Sequence, residues 1–366
     1  MMKRTLKICR IAVYRASLPL HEGSYKWSRG KSIEAFDTTV VEVVTDCGVA
    51  GYGECCPLGS SYIPAFPEGT RAGIRQLAPD LLGMDPTNVS NINIKMDHFL
   101  KGHSSSKSAI DMACWDIFGK VTGAPVCDLL GGRLAYDNEG FSLYRAISQD
   151  TPDTMSRNVK KYMVDDGYRK FQLKVGGEYR EDIERIIAVR HMIDTQAKEM
   201  GVLEAIPLIC DANAGWKRHE AMQVINAVKG LDVFIEQPCE TYEECVSVRN
   251  HCPLPFILDE SMDSVGMLTR ILADKSADAI NLKISKVGGL TKARMIRDLA
   301  VACGIPMNIE DTWGGDIVTS AICKCKPASS SQIFRMILFI LIKFFYCSPF
   351  GPFHTVRFAP VLYRLQ

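Results

Sequence analysis

From residue 141 to residue 311 the chain repeats one pattern: a short apolar run, a polar or charged residue closing it, then a stretch of helical period. The runs are FSLYRAIS (141–148), YRKFQLKVGG (168–177), PLICDAN (207–213), DVFIEQP (232–238), PFILDES (255–261), ADAINLKIS (277–285) and PMNIED (306–311). Helical patterns fall between them, among others at 152–165, 180–199 and 290–303. Strand–helix alternation argues for a parallel sheet, and seven consecutive units argue for a (β/α) barrel of the TIM type. Before this region, residues 5–55 alternate polar and apolar positions in three stretches, with a turn at Asp46–Gly48, and predict a β-meander. Helices are then expected at 70–82, 91–100 and 106–122. The predicted architecture is α/β: an N-terminal α+β capping domain (1–134), a barrel domain of seven or eight units (135–320), and an atypical or truncated C-terminal end (321–366).

Composition alters this picture mainly at that end. After Asp316 there is no Asp or Glu, while six Lys or Arg and seven of the fifteen Phe fall there. So sharp a break marks a different kind of segment. Its apolar stretch, Ile333 to Tyr346, is interrupted by Arg335 and Lys343 and is shorter than the roughly 20 residues that span a bilayer. An interfacial helix is one reading. We prefer a tail that does not continue the preceding fold, as alternative splicing or a mispredicted exon would produce; the eighth strand should lie where it begins. The net charge of the whole chain is +1, so nothing points to nucleic acid or to an anionic membrane. Fourteen scattered cysteines without a C-x-x-C pair read as free thiols in a reducing, cytoplasmic setting. The N-terminus is basic but alternating, which predicts a strand and no signal peptide.

Three of the runs end in an acid: Asp211, Glu236 and Asp259, 25 and 23 residues apart. Such spacing is one strand plus one helix, so the three carboxylates stand at consecutive strand ends, on the face where barrel active sites are built. Converging carboxylates repel unless a cation lies between them, and an all-oxygen set suits Mg²⁺, one per subunit. An acid at a strand end also caps the following helix, and Asp259 before Glu260 and Ser261 is placed to do so. That explanation serves one acid better than three, with Asn213 beside them. Lys174 and Lys283 end the runs on either side. A lysine close to a divalent cation and to a second lysine is expected to have a lowered pKa and to serve as a base. Two such bases could remove an α-proton from one face of a carboxylate and return it on the other, the metal holding the enediolate. Lys170 and Lys286, four and three residues off the strand-end positions, are expected outside the mouth.

The segments SAIDMACWDIFGKVTGAPVCDLLGG (108–132), FQLKVGG (171–177), CDANAGW (210–216), IEQP (235–238), LDES (258–261) and NLKISKVGGLTKAR (281–294) resemble the enolase superfamily, muconate-lactonising-enzyme subgroup, from about residue 5 to 320. The resemblance implies metal ligation by Asp211, Glu236 and Asp259 and acid–base work by Lys174 and Lys283 through an enediolate, a mechanism general to that superfamily. It also implies a homo-oligomer, by analogy alone. Two departures matter. Where many members have Lys-x-Lys on the second barrel strand, the first position here is Gln172, so a second lysine steadying Lys174 is in doubt, and Gln172 is expected to face the substrate or Lys174. The seventh strand end, MNIEDTWGG, has no histidine, which disfavours the mandelate-racemase subgroup.

The stretches 17–27 and 53–62 resemble the two capping-domain loops that choose the substrate in this superfamily. With Tyr62, Asp311 and Trp313 they suggest a cage for a substituted ammonium, although Tyr62 and Trp313 serve equally well as core packing. KFQLKVGG with IEDTWGGDI is similar to members acting on proline betaines and hydroxyprolines. The expected substrate is a small carboxylate such as an N-substituted proline, and the expected reaction racemisation or epimerisation at the α-carbon. Alternatives are dehydration through the same enediolate, cycloisomerisation, or an inactive isoform lacking the last barrel strand.

Overall fold

The computed structural model describes residues 6–20, 23–131 and 143–324, together with the backbone of 337–338 and 361–364. The first layer is an antiparallel sheet. β1 (Ile8–Pro19) precedes a small hairpin, β2 (Tyr25–Trp27) and β3 (Lys31–Ile33), and then pairs along its length with β4 (Ala35–Thr45), which pairs with β5 (Ala50–Cys55). This is the expected meander; β2 closes the first of the two capping stretches (17–27), and β3 lies beyond it. Helices α1 (Pro67–Leu81), α2 (Val89–Phe99) and α3 (Ser104–Thr122), with the short α4 (Val126–Leu129), pack behind it. Gly51 and Gly53 let β5 lie directly on α3: a Cβ at Gly53 would come within 1.9 Å of the Ala109 carbonyl oxygen. Residues 132–142, around the boundary proposed at 134/135, lie outside the described residues.

The second layer is a parallel sheet whose strands run in chain order. They are β6 (Arg145–Ile147), β7 (Phe171–Lys174), β8 (Leu208–Asp211), β9 (Phe234–Glu236), β10 (Phe256–Leu258), β11 (Ala279–Lys283), β12 (Met307–Glu310) and β13 (Ile337–Leu338). Between them run α5 (Pro152–Val164), α6 (Tyr179–Glu199), α7 (Arg218–Val228), α8 (Tyr242–Arg249), α9 (Val265–Asp274), α10 (Ile284–Val287), α11 (Leu290–Cys303) and α12 (Asp316–Lys324). The helix starts follow from local chemistry. Thr151 caps α5 ahead of Pro152, Ser264 caps α9, and Thr241 with Glu244 forms a reciprocal capping box on α8. The strands read as near-continuous apolar runs because both of their faces are covered: Phe171, Leu173, Leu208, Cys210, Ile235, Leu258, Ile280, Leu282 and Ile309 are fully buried.

The run 277–285 does not stay extended to its end. The strand stops at Lys283, and Ile284–Val287 forms the single turn α10, because Gly288 and Gly289 take positive φ (99° and 115°) and Gly289 N–H closes on the Ile284 carbonyl. At Gly289 a Cβ would lie 2.5 Å from Asp111 Oδ2 of α3, a carboxylate that accepts from Thr291 N at the start of α11. The capping domain thereby caps a barrel helix. Glu54 does the same at α12, accepting from Gly315 N (2.8 Å), Val318 N (3.2 Å) and Thr38 Oγ1 (2.8 Å) while buried.

In the tail, β13 pairs in parallel with β12 at the position of an eighth strand, and β14 (Val361–Arg364) pairs antiparallel with β1. No pairing joins β13 to β6 among the described residues. The apolar stretch 333–346 lies outside them apart from the backbone of 337–338. No described helix is long and apolar enough to cross a membrane, and no disulfide forms among the described residues.

Asp182 anchors the loops that follow β7 and β8. Fully buried on α6, it accepts from Gly176 N (2.9 Å), Gly177 N (2.8 Å) and Trp216 Nε1 (2.8 Å), and pairs with Arg185 (2.8 Å). Asp182→Ala leaves four donors without their acceptor, so we expect a loss of about 3–5 kcal/mol, read as a lowered midpoint in urea unfolding.

Candidate active site

Parallel pairing in register sets the site. Lys174 stands beside Asp211 across β7–β8, Asp211 beside Glu236 across β8–β9, and Lys283 beside Glu310 across β11–β12. Asp259 follows β10 directly. The five residues singled out by spacing therefore share one end of the sheet, and all are buried. Lys174, Lys283, Gln172, Asn213, Tyr62, Asp311 and Trp313 line one cavity there, with Tyr25, Trp27 and Leu58 of the capping domain above them.

The charges are paired directly. Lys174 Nζ donates to Asp211 Oδ2, Lys283 Nζ donates to Asp259 Oδ2 and to the Tyr62 hydroxyl, and Tyr62 donates to Asp259 Oδ2 (3.1 Å). Lowered lysine pKa values are expected beside a bound cation; with each lysine paired directly to a carboxylate the direction is the opposite. Burial alone would lower both ammoniums, but Asp211, Tyr25 and Glu236 around Lys174, and Asp259, Tyr62 and Glu310 around Lys283, carry both well above the usual lysine value. The same pairing lowers Asp259: burial opposes its charge, and Lys283 and Lys286 more than compensate. Among the described residues Glu236 has no cation in hydrogen-bond contact. Burial, then the charges of Asp211 and Asp259, push its carboxyl well above the normal range.

Lys286 is a second correction. It is buried in the mouth, not outside it, and donates to the Asp259 carbonyl and to Asp259 Oδ1 (2.9 Å). The turn α10 explains this, because a helical turn after Lys283 brings the residue three positions on back over the strand end. Lys170 is half-buried ahead of β7. Gln172 faces the cavity but does not bond Lys174; its amide donates to both oxygens of Glu236 (2.9 and 3.1 Å). Asn281 donates to the same carboxylate (2.8 Å), and Asn213, whose φ is +43°, donates to Asp211 Oδ2 (3.0 Å) and Glu260 Oε1 (3.1 Å). Burial and the neighbouring Asp259 and Asp211 push the Glu260 carboxyl up to about 8.

The suggested cage divides. Trp313 borders the cavity yet belongs to a core cluster, stacked on Phe36 at 4.2 Å and meeting Tyr25 edge-on at 4.9 Å. Asp311 is consumed by its surroundings: Ser285 N (3.2 and 3.1 Å to its two oxygens), Ser285 Oγ and Thr312 N (2.7 Å) all donate to it. Burial pushes its carboxyl up to about 6. Glu310, one residue earlier, escaped the sequence reading. It sits in the cavity wall with Oε1 3.5 Å from Lys283 Nζ and Oε2 accepting from Tyr144 (2.8 Å). Its signal was the strand-end position it shares with the other acids.

No three acidic, His or Cys groups among the described residues form a ready-made metal cluster; Lys174 pairs with Asp211 and Lys283 with Asp259, while Glu236 accepts from the amides of Gln172 and Asn281. The donor set nonetheless fits a hard divalent cation: three buried carboxylates at adjacent strand ends, the middle one destabilised as an anion by burial and then by the charges of the other two.

A parallel barrel-like sheet closed over by an α+β domain, with acids and lysines at its carboxyl end, defines a class of enzyme. The chain belongs to the mandelate racemase/muconate lactonizing enzyme family of the enolase superfamily. It matches the family's N-terminal domain over residues 18–131 and the enolase C-terminal domain-like family over residues 154–339. It is 52% identical over 327 residues to the cis-3-hydroxy-L-proline dehydratase of Roseibium aggregatum, covering 89% of this chain and 86% of that one. It is 30% identical to the N-succinyl-L-Arg/Lys racemase of Bacillus cereus, covering 86% and 83%. A solved enolase-superfamily member from Roseovarius nubinhibens, complexed with magnesium, superposes with a TM-score of 0.80 at 36% identity, covering 92% and 87%. The chain is thus an enzyme of the lyase or isomerase kind.

Proposed function

We propose that this chain is a hydro-lyase acting on a 3-hydroxylated proline-type carboxylate, with Lys174 and Lys283 as the proton-transferring residues and Asp211, Glu236 and Asp259 as ligands of one Mg²⁺. The observation that carries the reading is the pair of buried lysines lining one cavity from β7 and β11, on either side of the three acid-bearing strands. The 52% identity to a dehydratase favours elimination over simple inversion. Bound Mg²⁺ supplies the positive charge that stabilises an enediolate on the substrate carboxylate. One lysine, as free amine, takes the α-proton; the electron pair left on the α-carbon forms the α,β double bond as the β-hydroxyl departs, and a proton from the second lysine completes the water.

Epimerisation is the second reading, favoured by the two-sided placement of the lysines and by the racemase relative. Proton NMR in D₂O with Mg²⁺ and cis-3-hydroxyproline separates the two. Loss of the hydroxyl from product supports elimination. Deuterium at the α-carbon with the hydroxyl retained turns the assignment to epimerase, and neither change removes both readings.

A further inference from the structure

Glu310 presents a buried carboxylate with one oxygen satisfied and one not. Only 3% of the residue is exposed; buried Tyr144 donates to Oε2, and Oε1 has no hydrogen-bond donor among the described residues, its nearest cation being Lys283 Nζ at 3.5 Å. A buried carboxylate oxygen without a donor is costly, and in a cavity wall the donor it lacks is supplied by what enters. The neighbouring acid, Asp311, is already engaged by Ser285 and Thr312, mainly through Oδ1. Phe36 stacks on one face of Trp313 and Tyr25 meets it edge-on. We propose that Glu310, held in place by Tyr144, receives the ring ammonium of the substrate, so that the site selects cyclic secondary amino acids over carboxylates without a cationic nitrogen.

The inference rests on the reading of this cavity as a substrate site. Its chemistry is specific: a secondary ring nitrogen carries two N–H bonds and a positive charge, matching a single open carboxylate oxygen. A quaternary nitrogen has the charge and no N–H, so betaines lose the hydrogen bond. The β12 register places Glu310 beside Lys283. An ammonium bound there holds the ring next to one acid–base residue.

Binding, not turnover, tests this. Titration calorimetry of the full chain with Mg²⁺ would compare proline with tetrahydrofuran-2-carboxylate, the same ring with oxygen in place of the ammonium. The unaltered chain should favour proline about 10- to 100-fold. Glu310→Gln should level the two, and Glu310→Asp, which keeps the charge, should restore part of the preference. Equal affinities in the unaltered chain, no binding of either ring, or a preference that survives Glu310→Gln would overturn the proposal. Failure of the catalytic reading shows itself separately: proline would bind with the predicted preference while cis-3-hydroxyproline underwent neither exchange nor dehydration.

Discussion

Lys174→Ala will lower the rate of α-proton exchange and of product formation by about 10³-fold, within the range that general acid–base residues contribute. The reason is positional. Lys174 closes β7 directly beside Asp211, is buried, and lines the same cavity as Lys283. No other described lysine replaces it: Lys286 is tied to Asp259 through both its backbone and side-chain oxygens, and Lys170 precedes the strand. Single-turnover NMR in D₂O reads the effect, and an unchanged circular dichroism spectrum with an unchanged unfolding midpoint separates lost chemistry from lost folding. A variant that exchanges the α-proton within tenfold of the original rate would remove Lys174 from the mechanism.

Mg²⁺ will raise the thermal midpoint, and Glu236→Gln will abolish that rise. At a hundredfold excess over its dissociation constant, a ligand that binds only the folded chain contributes about 2.7 kcal/mol, which for a chain of this size corresponds to roughly 5 °C. Glu236 is decisive because it stands between Asp211 and Asp259, fully buried, with the amides of Gln172 and Asn281 as its hydrogen-bond donors among the described residues. Those amides orient the carboxylate and leave its charge uncompensated. Differential scanning calorimetry across a Mg²⁺ series, repeated with the variant and with EDTA, measures both halves. A midpoint insensitive to Mg²⁺ in the unaltered chain would refute the ligand assignment of all three acids.

Much of the fold was legible because its signals are local. Strand and helix patterns between residues 141 and 311 predicted the order β6 to β12, and helices such as α5 and α11 begin and end where Pro152, Thr151 and Gly304 dictate. The strand around Lys283 was read two residues too long, because an apolar Ile284 continues the pattern and only the paired glycines after it reveal the turn. That turn in turn placed Lys286 against Asp259, a contact invisible to strand-end counting.

From spacing alone the sequence marked Lys174, Asp211, Glu236, Asp259 and Lys283 as residues at or beside strand ends, while the runs to Ser285 and Asp311 overshot the strands that stop at Lys283 and Glu310. Only the tertiary structure decided how these groups divide their lone pairs and protons. Whether Asp311 or Glu310 has an oxygen to offer depends on Ser285 and Tyr144, which are 26 and 166 residues away along the chain. Whether Gln172 serves a lysine or a carboxylate depends on the register of three strands. Hydrogen bonds between distant segments are set by packing, and packing leaves no periodic trace in the chain.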